Sequence, residues 1–148
     1  MKAIHCIFCK ISAGTIPAAK LFEDDLVTAF LDIAPLNPGH CLVIPKAHFH
    51  SITEVPEATA GRMTAVAAKL GAALMRVVEA DGFNLILANG AAAGQVVPHV
   101  HLHVIPRLPA DGIQLPARAI PYKDAAARDA LAEAVRNRLA ASAKNGVA

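Results

Sequence analysis

The chain carries almost no excess charge, with 14 Lys and Arg against 12 Asp and Glu and a formal balance of +2. Its basic residues are scattered, so the basic face or stripe of a nucleic-acid binder is missing. No apolar run reaches membrane-spanning length, and Met1-Lys2-Ala3-Ile4-His5-Cys6 lacks the apolar core of a signal peptide. Only three cysteines are present, two of them as Cys6-x-x-Cys9, which is not a secreted disulfide framework. The expectation is a cytoplasmic protein with no membrane or nucleic-acid partner. Internal repeats and low-complexity linkers are also lacking. Apolar side chains, in contrast, make up 55% of the 148 residues and charged ones 18%. That composition predicts one folded domain over 1–148 with a real hydrophobic core.

Leu26–Ile33 and Cys41–Ile44 are rich in strand formers, and Pro35, Asn37, Pro38 and Gly39 between them predict an antiparallel hairpin. Residues 56–80 carry the longest helical pattern, opened by Pro56 and closed by Asp81-Gly82. Ala60, Met63, Val66, Ala67, Leu70, Leu74 and Val77 recur at helical spacing, and most of the remaining surface is Ala or aliphatic. Such a helix is expected to be covered on two sides, by the sheet and by a second subunit. Asn84–Ala88 predicts a short strand, Asn89–Gly94 a small-residue loop, and His99–Ile105 a further strand. Pro106, Pro109, Pro116 and Pro121 predict an irregular stretch. Asp124 is placed to cap a last helix with a stripe of Ala127, Leu131, Val135 and Leu139, and the tail beyond Ser142 is expected to fray. The fold class is α+β: an antiparallel sheet with one long helix and a C-terminal helix.

His99-Val-His-Leu-His103 is the most informative stretch. Alternate side chains of a strand point to opposite faces, so three imidazoles share one face and Val100, Leu102 and Val104 the other. Two neighbouring imidazoles can reach one metal ion, but the outer pair, roughly 13 Å apart by backbone rise, would struggle to share it. The alternative is catalysis, since a neutral imidazole is a ready nucleophile or general base. The loop Asn89-Gly-Ala-Ala-Ala-Gly-Gln95 offers backbone amides that could form an anion-binding nest, with Gly94 turning the chain and Gln95 an uncharged donor beside it.

Gly94-Gln95-x3-His99-x-His101-x-His103-x-Ile105-Pro106-Arg107 closely resembles the signature of the histidine triad family. The resemblance extends through Phe8-Cys9-Lys10-Ile11, Ile16-Pro17, Glu23-Asp24-Asp25, Ala29-Phe30-Leu31-Asp32, Pro38-Gly39-His40 and Val43-Ile44-Pro45-Lys46-x-His48. It covers about residues 6–107 and leaves 108–142, and the tail 143–148, outside. The resemblance implies a homodimeric nucleotide hydrolase or transferase. It would cleave nucleoside 5′-phosphoramidates or related conjugates of a purine nucleotide, without a catalytic metal. His101 matches the nucleophile that forms a nucleotidyl-histidine intermediate. His103, with the amides near Gln95 and Val96, matches groups that stabilise charge on the phosphoryl oxygens. Gln95 matches a contact to the scissile phosphate or leaving group, and His40 a fourth, orienting or proton-sharing histidine. Asp32 matches the carboxylate that holds the ribose. Ile11, Ile16, Phe30, Ile33 and Leu42 match the base pocket.

Cys6-x-x-Cys9 alone is ambiguous between a redox motif, buried thiols and half of a zinc site. Zinc-containing branches of the family resemble this chain in having two such cysteines, a histidine at His48 and the first triad histidine, His99. That set implies a closed, structural zinc site. Cys41 sits in a strand pattern and reads as a core residue. Two positions depart from the family pattern: Ala88, where many relatives are polar, and Val96, where some carry Ser or Thr. The Val96 departure leaves only a backbone amide to meet a phosphate there, and Asn89 is a candidate for the ribose role. Dinucleoside polyphosphate hydrolysis and non-catalytic nucleotide binding are the rival readings.

Overall fold

The computed structural model describes residues 5–114 and 120–144, with side chains through residue 141. It divides into two compact units, residues 1–113 and 114–148. In the first, β1 (Lys20–Glu23), β2 (Val27–Leu31), β3 (Cys41–Pro45), β4 (Gly82–Ile86) and β5 (Leu102–Arg107) form one sheet. The order is β1-β2-β3-β5-β4 and every pairing is antiparallel. The expected hairpin is β2–β3, in register from Val27↔Pro45 to Leu31↔Cys41.

The period of two sorts these strands by face. Val27, Ala29, Cys41, Val43, Leu102 and Val104 are buried with Val100 against Met63, Val66, Ala67 and Leu74 of the long helix α2 (Glu57–Val77). Burying one such aliphatic side chain stabilises the fold by roughly 1.5–3 kcal/mol. Phe30, Leu42 and Ile44 point the other way, onto Cys6, Phe8 and Ile11 in and around the short helix α1 (Ile7–Ser12). The sheet therefore has a thick side under α2 and a thin side under α1, and the histidines lie on the thin side.

Val77 does not join the helical stripe; it is 78% exposed, and the stripe passes from Leu74 to Val78 at the helix end. There Gly39, at φ +85°, lies so close that a Cβ would meet Leu74 Cδ2 at 2.8 Å. Only glycine allows that turn and approach together, and it delivers the chain into His40.

The histidine strand starts later than its pattern predicts. His99 N–H bonds back to the Val97 carbonyl and Val100 N–H to the Phe49 carbonyl, so pairing with β3 begins only at Val43↔Leu102. The Pro45 carbonyl accepts from the His99 ring at 3.0 Å instead of from a backbone ladder. Pairing of β4 with β5 ends at Ile86↔His103, one residue short of the first residue of β5, and β4 is 82–86 rather than 84–88. Pro106 belongs to the strand, contrary to expectation. Its carbonyl accepts from Asn37 Nδ2 at 2.8 Å on the side where β3 has ended, so its missing N–H costs no ladder bond.

In the second unit, Asp124 Oδ1 accepts from Ala127 N–H at 2.7 Å and caps α3 (Ala125–Lys144). The helix runs two residues beyond Ser142, and the rest of the expected frayed tail, 145–148, lies outside the described residues, as does Pro116. Among the described residues no helix is long and apolar enough to cross a membrane.

Candidate active site

The thin side of the sheet gathers the histidines into two groups. His101, His103 and His40 form one, with ring centroids 4.9 Å apart for His101–His103 and 5.2 Å for His40–His103. His101 and His103 line a cleft of about 370 Å³ with Asp32, Leu42, Val96 and Val97, and His40 is buried behind His103. His99 turns away from them into the second group, with Cys6, Cys9 and His48.

Backbone partners fix the tautomer of each ring. The His99 carbonyl lies 2.7 Å from His101 Nδ1, and a carbonyl only accepts, so Nδ1 carries the proton and Nε2 keeps its lone pair. Leu36 N–H donates to His40 Nδ1 at 3.1 Å, which places the His40 proton on Nε2. That proton is donated to His103 Nδ1 at 2.9 Å, leaving His103 with Nε2–H. Asp32 Oδ2 stands 3.6 Å from the same His40 nitrogen. Burial pushes His103 down to about 4, helped by the neighbouring His101 and His40 rings. Burial also lowers His40, against the pull of Asp32. Both are thus neutral at pH 7, and His103 is a donor rather than a proton reservoir.

The ring of Phe8 packs edge-on against His101 and His99, with centroids 5.2 and 5.9 Å away. Sequence alone assigns Phe8 no part in the site beyond its place in the family resemblance. Asp32 lies where the histidine cleft meets a second, apolar cavity, also of about 370 Å³. Of the residues the family resemblance matched to a base pocket, Ile11, Ile16, Phe30 and Ile33 line that cavity, together with Ile7, which sequence reasoning did not single out. Leu42 is the exception among the expected base-pocket residues. It pairs with His103 and lines the histidine cleft.

The small-residue loop is built differently from an open nest. A 3-10 turn over Ala91–Ala93 consumes the amides of Ala93, Gly94 and Gln95 on the carbonyls of Gly90 and Ala91. Gly94, at φ +90°, reverses the chain after it. The Gln95 amide group is fully engaged: Oε1 accepts from Gly90 N–H at 2.7 Å, and Nε2 donates to the carbonyls of His50 and Val97. Gln95 therefore fastens the loop to 50 and 97 rather than reaching into the cleft. Asn89 Oδ1 is likewise engaged, accepting from Ile52 N–H and the Ser51 hydroxyl. The amides of Val96 and Val97 make no hydrogen bond among the described residues, and both residues line the cleft. They are the donors left for an anion.

In the second group, Cys6 Sγ, Cys9 Sγ, His48 Nδ1 and His99 Nδ1 all lie within 4.8 Å of one another. The closest separations are 3.2–3.5 Å, which match the edges of a zinc tetrahedron, about 3.3–3.8 Å for Zn–N and Zn–S bonds of ordinary length. His99 donates Nε2–H to the Pro45 carbonyl, so its Nδ1 lone pair faces the cluster, as a ligand requires. Burial and the adjacent Cys6 thiol push Cys9 up to about 11, and a bound cation would reverse that preference. The donor set fits a zinc ion. Asp32, His40 and His103 also converge, but the 2.9 Å between the two ring nitrogens is a hydrogen bond, with a proton where a metal would sit.

Comparisons with known proteins agree with this geometry. The model of the HIT domain family matches residues 13–110. The adenylylsulfatase HINT3 of Arabidopsis thaliana is 44% identical over 102 residues, 69% of this chain and 52% of that longer protein. The chain thus spans about half the length of that relative. The adenosine 5′-monophosphoramidase hnt1 of Schizosaccharomyces pombe is 42% identical over 104 residues, 70% of this chain and 75% of its own. A crystal structure of a zinc-bound histidine triad family protein from Mycobacterium smegmatis superposes with a TM-score of 0.71 at 37% identity, covering 91% of this chain and 99% of that one.

Proposed function

Because the chain belongs to the HIT domain family, we propose that it hydrolyses nucleoside 5′-phosphoramidates or related nucleotidyl conjugates and releases the nucleoside monophosphate. The observation that carries this reading is the tethering of His101: Nδ1–H on a backbone carbonyl, Nε2 free beside two unpaired amides. The names of the two relatives, an adenylylsulfatase and a monophosphoramidase, have in common an adenylyl group on a cleavable partner.

A purine base fits the apolar cavity and the ribose hydroxyls fit Asp32, which puts the α-phosphate in the histidine cleft. His101 Nε2 attacks phosphorus, the bond to the leaving amine breaks, and the departing nitrogen takes a proton from solvent. The adenylylated ring is cationic, so its Nδ1–H bond to the His99 carbonyl strengthens as charge develops. His103 Nε2–H and the Val96 and Val97 amides donate to the phosphoryl oxygens, while His40 holds His103 in that tautomer. Water then attacks phosphorus and gives a proton to solvent, the P–N bond to His101 breaks with its electron pair returning to Nε2, and the ring returns neutral. Splitting one displacement into two is what the nucleophile contributes.

Cys6, Cys9, His48 and His99 would hold one zinc ion with four protein ligands, a closed sphere that supplies structure. It would tie the start of α1, with Phe8, to the segment that carries His101. We further propose a homodimer joined through α2 and the sheet edge. Ala58, Ala65, Ala68 and Ala72 face outward on α2, and β4 is an outermost strand. Three free thiols suit a reducing compartment such as the cytoplasm.

Release of AMP from adenosine 5′-phosphoramidate, compared with diadenosine tetraphosphate in the presence and absence of excess chelator, tests the reading. Faster turnover of the phosphoramidate, with no dependence on chelator in the assay, supports it. Preference for the dinucleotide transfers the chain to polyphosphate hydrolysis, and AMP binding without any turnover makes it a nucleotide-binding protein.

A further inference from the structure

Val96 is apolar yet 89% exposed, and it stands on the cleft wall beside His101 and His103. It also borders two adjoining hollows. One, of about 240 Å³, it shares with Val97, Pro98, Ile7 and His5, and the other, more polar, with Pro98, Ala91, His50, Ser51 and Gln95. The nucleoside end of the cleft is fixed elsewhere, at Asp32 and Ile33, where the cleft meets the apolar cavity. An in-line displacement drives the leaving group away from His101, and the wall left to receive it is made of valines and Pro98.

Among the described residues lining the cleft and both hollows there is no Lys or Arg. Four cations of the same unit are paired elsewhere: Lys20 and Lys46 on Glu23, Arg62 on Asp24 and Arg107 on Asp111. A polyphosphate leaving group would bring several negative charges against the Val96 and Val97 isopropyl groups with no Lys or Arg to meet them, giving up hydration for little in return. An amine with an apolar substituent would cover that surface instead.

We propose that Val96 determines leaving-group specificity, making this side of the site a subsite for amines with apolar substituents. The proposal rests on the phosphoramidase reading above. The step itself is unchanged: the bond from phosphorus to the amine nitrogen breaks, the bond to His101 Nε2 forms, and the nitrogen leaves with a solvent proton. Discrimination of this kind reaches about tenfold or more when a hydrophobic pocket is filled.

The test compares kcat/KM for the N-ethyl and N-hexyl amides of AMP, whose amines are equally basic, so that intrinsic P–N lability is matched. Diadenosine tetraphosphate is run beside them. In the unmodified protein the hexyl compound should exceed the ethyl compound about tenfold, and Val96→Ser should bring that ratio close to one. Val96→Lys should raise the rate on diadenosine tetraphosphate relative to the hexyl compound. A ratio near one in the unmodified protein, or one that Val96→Ser leaves unchanged, overturns the subsite while P–N cleavage stands. Absence of P–N cleavage for both amides overturns the phosphoramidase reading itself.

Discussion

His40 Nε2 and His103 Nδ1 are 2.9 Å apart, and the backbone amide of Leu36, on the far side of the His40 ring, decides which of them carries the proton. A main-chain donor three residues before Gly39 thereby sets the tautomer of a ring two residues from the nucleophile. Through that relay the Leu36–Gly39 turn bears on the active site, although none of its side chains enters the cleft.

His40→Ala should lower kcat on adenosine 5′-phosphoramidate about 10- to 100-fold with a smaller change in KM. His103 would then be free to expose either nitrogen to the phosphate. His40→Gln, which can still donate from its amide, should recover part of the loss. Equal kcat in all three proteins would remove His40 from the mechanism.

The pH dependence of stability follows from the buried rings. Burial holds His103 at about 4 and also lowers His40, while the unfolded chain binds these protons near pH 6.5. Between the two values the unfolded state holds more protons, so its free energy falls relative to the folded state as pH drops. Unfolding midpoints in denaturant should be level above pH 6.5 and should decline steadily from there towards pH 4. A flat profile across that window would contradict neutral, buried imidazoles.

Zinc content should be one ion per chain by elemental analysis, and Cys9→Ser should lower both that content and Tm. Structural zinc adds directly to folding free energy, so the loss should be at least several degrees. Turnover per folded molecule should change less than Tm does. Zinc-free protein with unchanged Tm would reject the structural site.

Asp32→Asn should raise KM for adenosine 5′-phosphoramidate about tenfold, and the 2′-deoxy substrate should be almost indifferent to the change. The non-additivity of those two losses is the readout, because it reports a contact between the carboxylate and the ribose. Simple additivity would place Asp32 in the positioning of His40 alone.

Much of this site was legible in the chain. Strict alternation over 99–103 separated Val100 and Leu102 from the histidines because the pleat enforces it, even where the backbone has not yet entered the ladder. Cys6, Cys9, His48 and His99 were legible as one set, and they converge. The loop was not. Local composition marks amides as available, but the 3-10 turn and the Gln95 side chain consume them, and only tertiary partners at His50 and Val97 reveal it. Asn89 escaped for the same reason, its partners being 37 and 38 residues away. Phe8 and Ile7 look like interchangeable core residues until α1 turns one onto His101 and the other into the apolar cavity.

The most direct test of the central claim is intact-mass analysis of the protein quenched in base during turnover of adenosine 5′-phosphoramidate. The account predicts a transient adduct of one adenylyl group, mapped to the peptide containing His101. The adduct should be absent from His101→Ala, whose turnover should fall about 10⁴-fold or more while AMP still binds. An adduct on another residue, or His101→Ala turning over at a rate comparable to the unmodified protein, would contradict it.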